Sequence, residues 1–157
     1  MKSPAPFSRH RLTLATVVLM VAAPAHAQKP IDGDSIEVGG KTYRLYAVDA
    51  PDVAQICADG WPAGYAAEQY LGTLIEGKKI ACVPIAGERA GEIVAICRAD
   101  DVDLGAAMVT GGYAYAEVPN SARYVAQEAA AASALRGVHG HNCVTPWEWR
   151  ARLEESR

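Results

Sequence analysis

Apolar and polar residues alternate from Ile31 to Val38 and again from Tyr43 to Asp52, the period of half-buried strands. Gly39-Gly40 stands between the two runs and predicts a hairpin turn. The period then changes. Ala67, Leu71, Leu74 and Ile75 fall on one face of a helix that stops at Gly77. Lys79 to Ile85 and Glu92 to Arg98 read as a second pair of strands around the turn Glu88-Arg89-Ala90-Gly91. Asp101 or Asp103 can cap a short helix that runs through Leu104 and Met108 to a stop at Gly111-Gly112. Ser121 is the expected cap of a third helix, ending near Arg136 with Gly137 as terminator. Tyr124, Glu128, Ala132 and Leu135 share a face of it, and Glu128 reads as a structural carboxylate bonded to a neighbouring segment.

Five strands, about three short helices and no strand–helix–strand alternation predict a mainly β, mixed α+β fold. The form expected is a five-stranded Greek-key barrel of the OB type. Its first strand, at Gln28-Lys29-Pro30, is expected to be short and at an edge, because proline donates nothing to a ladder. Before it, Lys2, Arg9 and Arg11 precede an apolar run from Leu12 to Ala23, and Ala25-His26-Ala27 is a small-x-small cleavage site. That is the form of a secretory signal. The expected organisation is a signal over residues 1–27, cleaved after Ala27, and one domain over 28–157, exported to the periplasm or the medium.

Export changes the charge. Removing Lys2, Arg9 and Arg11 leaves 12 basic residues against all 18 acidic ones, a net charge of −6. Non-specific binding of nucleic acid rests on Lys and Arg contacts to phosphate, so this balance opposes a strong grip on long nucleic acid. Nucleic acid remains a weak candidate partner, no membrane partner is expected after cleavage, and no protein partner is specified.

Cys57, Cys82, Cys97 and Cys143 all lie in the exported part, and an even count in an oxidising compartment predicts two disulfides. A turn centred on Arg89-Ala90 sets Cys82 directly opposite Cys97, close enough to bridge. Cys57 then pairs with Cys143. In the tail, His139, His141 and Cys143 alternate like metal ligands, but the disulfide claims the cysteine. Trp147 and Trp149 read as packing the tail onto the barrel beside that disulfide.

The polar residues of the first two runs carry the candidate chemistry. Asp32 and Asp34 open the first, Asp49 and Asp52 close the second, and Arg44 points out between them. A hairpin brings its ends together, so Asp34 and Asp49 can share one mouth. Carboxylates gathered there with an arginine suit a hard cation and a phosphate.

The strings I-D-G-D-S-I-E-V and Y-R-L-Y-A-V-D-A-P-D resemble the core of the staphylococcal nuclease-like (thermonuclease) family. The resemblance continues through Gly64-Tyr65-Ala66-Ala67, Gly77-Lys78-Lys79-Ile80, Val102-Asp103-Leu104 and Gly111-Gly112-Tyr113-Ala114. It implies an OB barrel and calcium-dependent hydrolysis of phosphodiesters in DNA or RNA. Asp34, Asp49 and the backbone carbonyl of Ala50 match the family's Ca²⁺ ligands, with Asp32 as a supporting carboxylate one step out. Arg44 matches the first of two catalytic arginines. Asp52 stands where the family has a glutamate that positions the attacking water, one methylene shorter. The family's D-R-Y-G-R string reads Glu88-Arg89-Ala90-Gly91-Glu92 here. Ala90 replaces a substrate-holding tyrosine, and Glu92 replaces the second arginine. An arginine stabilising a transferring phosphoryl group is worth roughly 10³–10⁵ in rate. The expectation is a weak or lost activity, the alternative a non-catalytic module that binds a protein or a small anion. Arg89, at the loop centre, is expected to point elsewhere.

Overall fold

The computed structural model describes residues 28–117 and 122–157. The expected signal over residues 1–27 and the Ser121 cap lie outside the described residues. The main sheet is built of β1 (Gln28–Pro30), β2 (Ser35–Val38), β3 (Lys41–Leu45), β5 (Ile80–Arg89), β6 (Glu92–Ala99) and β7 (Val102–Asp103). Its order is β1-β2-β3-β6-β5, with β7 also paired to β6, and it curls into a half-barrel. β4 (Val48–Asp49) and β8 (Tyr115–Ala116) form a separate antiparallel pair. The helices are α1 (Ala63–Ile75), α2 (Leu104–Gly111), α3 (Val125–Ser133) and α4 (Pro146–Glu155). The fold is thus mixed α+β, with four α-helices among the described residues where about three are expected from the sequence.

The first hairpin turns at Gly39-Gly40, both at positive φ, and pairs Ser35 with Arg44 and Val38 with Lys41. β1 is short and lies at the edge, as its proline requires. The run from Tyr43 to Asp52 is not one strand. It breaks after Leu45, where Ala47 takes φ +62°, and Val48-Asp49 leaves the main sheet to pair with β8. The left-handed conformation costs a non-glycine residue roughly 1–2 kcal/mol. That bend delivers Asp49 to the mouth.

The second hairpin turns at Ala90-Gly91, one residue later than the sequence suggests. Both residues have positive φ, as a two-residue I′-type turn demands. Cys82 nevertheless faces Cys97, because an irregularity between Pro84 and Glu88 shifts the register. Both expected disulfides are present, Cys82–Cys97 and Cys57–Cys143. Such bonds belong to proteins that mature in an oxidising compartment outside the cytoplasm. Among the described residues no helix is long and apolar enough to cross a membrane.

Ile36, Leu45, Val48, Leu71, Ile75, Leu104, Met108 and Val109 fill the core between sheet and helices. Asp103 caps α2 by accepting from the Ala106 amide, and Gly112 ends the helix in the left-handed conformation. α3 stops at Ser133, short of Arg136, so Leu135 lies beyond it and is exposed while Ala131 takes the buried place. Glu128 accepts a hydrogen bond from the Ala116 amide at 2.8 Å, the structural role expected of it.

Candidate functional site

Asp34, Arg44, Asp49 and Asp52 converge where the first hairpin meets α1 and α4. Each is placed by backbone. Asp32 accepts from the Asp34 amide at 2.9 Å, a local turn that swings Asp34 inward and gives Asp32 its place at the site. Gly33 fits there because it has no side chain: a Cβ would sit 2.6 Å from that of Ala67 and 2.7 Å from that of Ala50. Gly64, at the start of α1, lies so close to the Asp52 carbonyl that a Cβ would collide with it. Small residues on α1 therefore let the carboxylate-bearing segments pack against the helix.

Asp34 and Asp49 are both buried, at 3 % exposure. Arg44 forks onto Asp34, with Nη1 2.9 Å from Oδ1 and Nη2 2.9 Å from Oδ2, and the same Nη2 lies 3.5 Å from Asp49 Oδ1. The Ala50 amide donates to Asp34 Oδ2 at 2.8 Å. Burial pushes the Asp34 carboxyl up, and the Arg44 guanidinium beside it pulls the other way. Asp52 sits at the rim. Burial raises its pKa too, Arg150 opposes the rise, and its Oδ2 is buried without a hydrogen-bond partner.

Arg150 is the residue that pattern reading missed. It reaches in from α4: Nη2 is 2.6 Å from Asp49 Oδ2, Nη1 3.3 Å from Asp49 Oδ1, and Nη1 3.6 Å from Asp52 Oδ2. The tail is read from sequence as a packed segment, whereas residues from Pro146 on are helical. A signal was there. Thr145 and Glu148 form a reciprocal capping box with Pro146 at the first helical position. Trp147 does pack edge-on to Tyr115, at 5.6 Å between centroids. Of the alternating tail residues, Cys143 is in the disulfide, His141 bonds Asp59 at 2.7 Å and stacks on Trp61, and His139 lies against Tyr115.

Arg89 does not point elsewhere. It pairs with Glu117 at 2.8 Å and, with Arg44, Tyr46 and Val94, lines an open cavity of about 310 Å³. Glu92 starts β6 opposite Arg89, on the same face as Val94 by the two-residue period of a strand.

The resemblance implies calcium at Asp34, Asp49 and the Ala50 carbonyl. Calcium takes six to eight oxygens. Both oxygens of Asp34 accept from Arg44 and both of Asp49 from Arg150. Among the described residues, no group of three or more His, Cys, Asp or Glu is placed to hold a metal ion. As arranged, the donor set fits two guanidinium groups rather than a calcium ion.

No family model matches the chain. The chain is similar to the succinoglycan biosynthesis protein ExoI of Rhizobium meliloti (strain 1021), with 30% identity over 133 residues. The match covers 80% of this chain and 64% of the relative, so the chain spans less than two thirds of the relative's length.

Proposed function

We propose that this chain is an exported thermonuclease-like protein of OB-barrel form that binds nucleic-acid phosphodiesters and hydrolyses them weakly. One observation carries the reading: Arg44, fixed by a buried carboxylate pair, also lines the open cavity it shares with Arg89. A fixed guanidinium is preorganised to donate to phosphate oxygens, where charge builds in the transition state. Asp52 supplies the acceptor. Its raised pKa makes it a better base than an ordinary carboxylate, and its buried Oδ2 has no donor. In the step proposed, water attacks phosphorus, its proton passes to Asp52, and the leaving oxygen is protonated from solvent. A calcium ion would have to displace guanidinium from Asp34 and Asp49 to bind there.

The shortened Asp52 and the charge at Glu92 keep the rate low. Misplacing a catalytic group by about 1 Å costs on the order of a hundredfold. A second reading, binding without turnover, is favoured by the carboxylate that each cavity arginine already holds. Purified protein incubated with single-stranded DNA, duplex DNA and RNA, with calcium and with chelator, separates the two. Slow cleavage supports hydrolysis. Retention of the oligonucleotide with no cleavage supports the module, and neither result on any substrate sinks both.

A further inference from the structure

The tail helix is anchored many times over without Arg150. The Cys57–Cys143 disulfide ties its approach, Gln55 Nε2 donates to the Val144 carbonyl at 2.8 Å, and the Ala58 amide donates to the Asn142 carbonyl at 2.9 Å. Trp147 packs on Tyr115, and the capping box starts the helix. Docking does not need a guanidinium laid over a buried carboxylate.

Its position in the mouth is specific. Asp49 has Arg44 on one side and Arg150 on the other. Arg44 is largely enclosed, whereas the Arg150 side chain is 37% exposed and also approaches Asp52, the proposed water-positioning group. A guanidinium carries five N–H donors. Bonding to Asp49 through Nη1 and Nη2 leaves others free for an anion arriving from solvent. Arg89 holds Glu117 through Nη1 on the cavity wall, and position 92 bears a negative charge.

We propose that Arg150 is the second cation of the phosphodiester site, delivered by α4 instead of by the β-hairpin, and that it donates directly to a non-bridging phosphate oxygen. No proton leaves it. Its work is to hold the phosphate and the charge that develops on it. The proposal rests on the phosphodiester reading above, and its test separates the two.

The probes are a labelled single-stranded oligonucleotide for binding at low salt and bis(p-nitrophenyl) phosphate for turnover. Arg150→Ala should weaken binding roughly tenfold or more, the worth of a charged hydrogen bond. Arg152→Ala, on the same helix but away from the mouth, should bind as wild type does. Arg150→Lys should fall between, since lysine keeps the charge without the planar fork; it also serves if the alanine variant fails to fold. Asp49→Asn decides between direct and indirect action. If Arg150 touches phosphate, Asp49→Asn with Arg150→Ala binds more weakly than Asp49→Asn alone, by about the factor seen in the wild-type background. Equal binding by those two proteins means that Arg150 only balances Asp49, and the proposal falls. It falls equally if Arg150→Ala binds like wild type, whatever the turnover shows. Loss of binding in Arg150→Ala beside a wild type that turns nothing over sinks hydrolysis while Arg150 keeps its place.

Discussion

Arg150 Nη2 lies 2.6 Å from Asp49 Oδ2, although 101 residues separate the two in the chain. The tail therefore completes the mouth that the first hairpin begins. What holds the tail in place also holds the site.

The Cys57–Cys143 bond spans 86 residues and the Cys82–Cys97 bond 15. Chain entropy values the longer closure at about 4–5 kcal/mol and the shorter at about 3. Cys57→Ser with Cys143→Ser should accordingly lower the urea midpoint more than Cys82→Ser with Cys97→Ser. The first pair should also lower oligonucleotide binding at temperatures where the protein stays folded, because α4 loses its covalent anchor. Equal binding by the two double variants would show that the helix stays docked unaided.

Gly64→Ala tests how α1 positions Asp52. The added methyl meets the Asp52 carbonyl, so helix or loop must shift. Overpacking of this kind costs about 1–3 kcal/mol. The expected result is a lower melting temperature together with a fall in turnover larger than the stability loss explains. Gly77→Ala should leave turnover unchanged, since its Cβ would meet nothing within 4 Å, though its positive φ lowers stability.

Asp103 sets an acid limit on stability. Burial raises its pKa, but bonds from the Ala106 amide, Arg123 and the Tyr124 hydroxyl outweigh that and hold it below the usual 3.8. A carboxyl lowered on folding contributes stability above its unfolded pKa and loses it as pH falls through the folded value. Wild type should thus lose stability on acidification below about pH 4 more steeply than Asp103→Asn, which keeps an acceptor for the cap. Asp103→Ala should cost about 1 kcal/mol near neutral pH through the lost cap. Urea midpoints at neutral and acid pH would show both, and parallel pH curves for wild type and Asp103→Asn would contradict the assignment.

Much of this was legible because it is local. The Asp103 cap, the Gly112 stop and the first hairpin are set by neighbours within a few residues. Asp34 and Asp49 do meet as a hairpin's closing ends suggest, but it is the bend at Ala47, outside the hairpin ladder, that brings Asp49 there. Both disulfides were legible too, although the turn is centred one residue later than expected and the register irregularity restores the alignment. Arg150 was not legible, since α4 is mostly exposed and presents no apolar stripe, and its partner lies far away in sequence. The break at Ala47 was hidden as well, because apolar alternation continues across a bend that only tertiary packing imposes.

Glu92 should limit turnover. It shares a face of β6 with Val94, which pairs with Arg44 across the parallel strands. Glu92→Arg with Asp52→Glu should raise the rate more than either change alone, since both act on one transition state. A double variant no faster than the better single one would contradict a joint role for the two positions in turnover.

The proposed chemistry rests on Arg44 meeting the phosphodiester. Its most direct test is the turnover of bis(p-nitrophenyl) phosphate by wild type and Arg44→Ala, both with disulfides intact and both shown to be folded. A slow, saturable wild-type rate should drop by about a hundredfold or more in Arg44→Ala, in line with the loss of a preorganised donor to the developing charge. Equal rates for the two proteins would mean that Arg44 does not act on the phosphodiester.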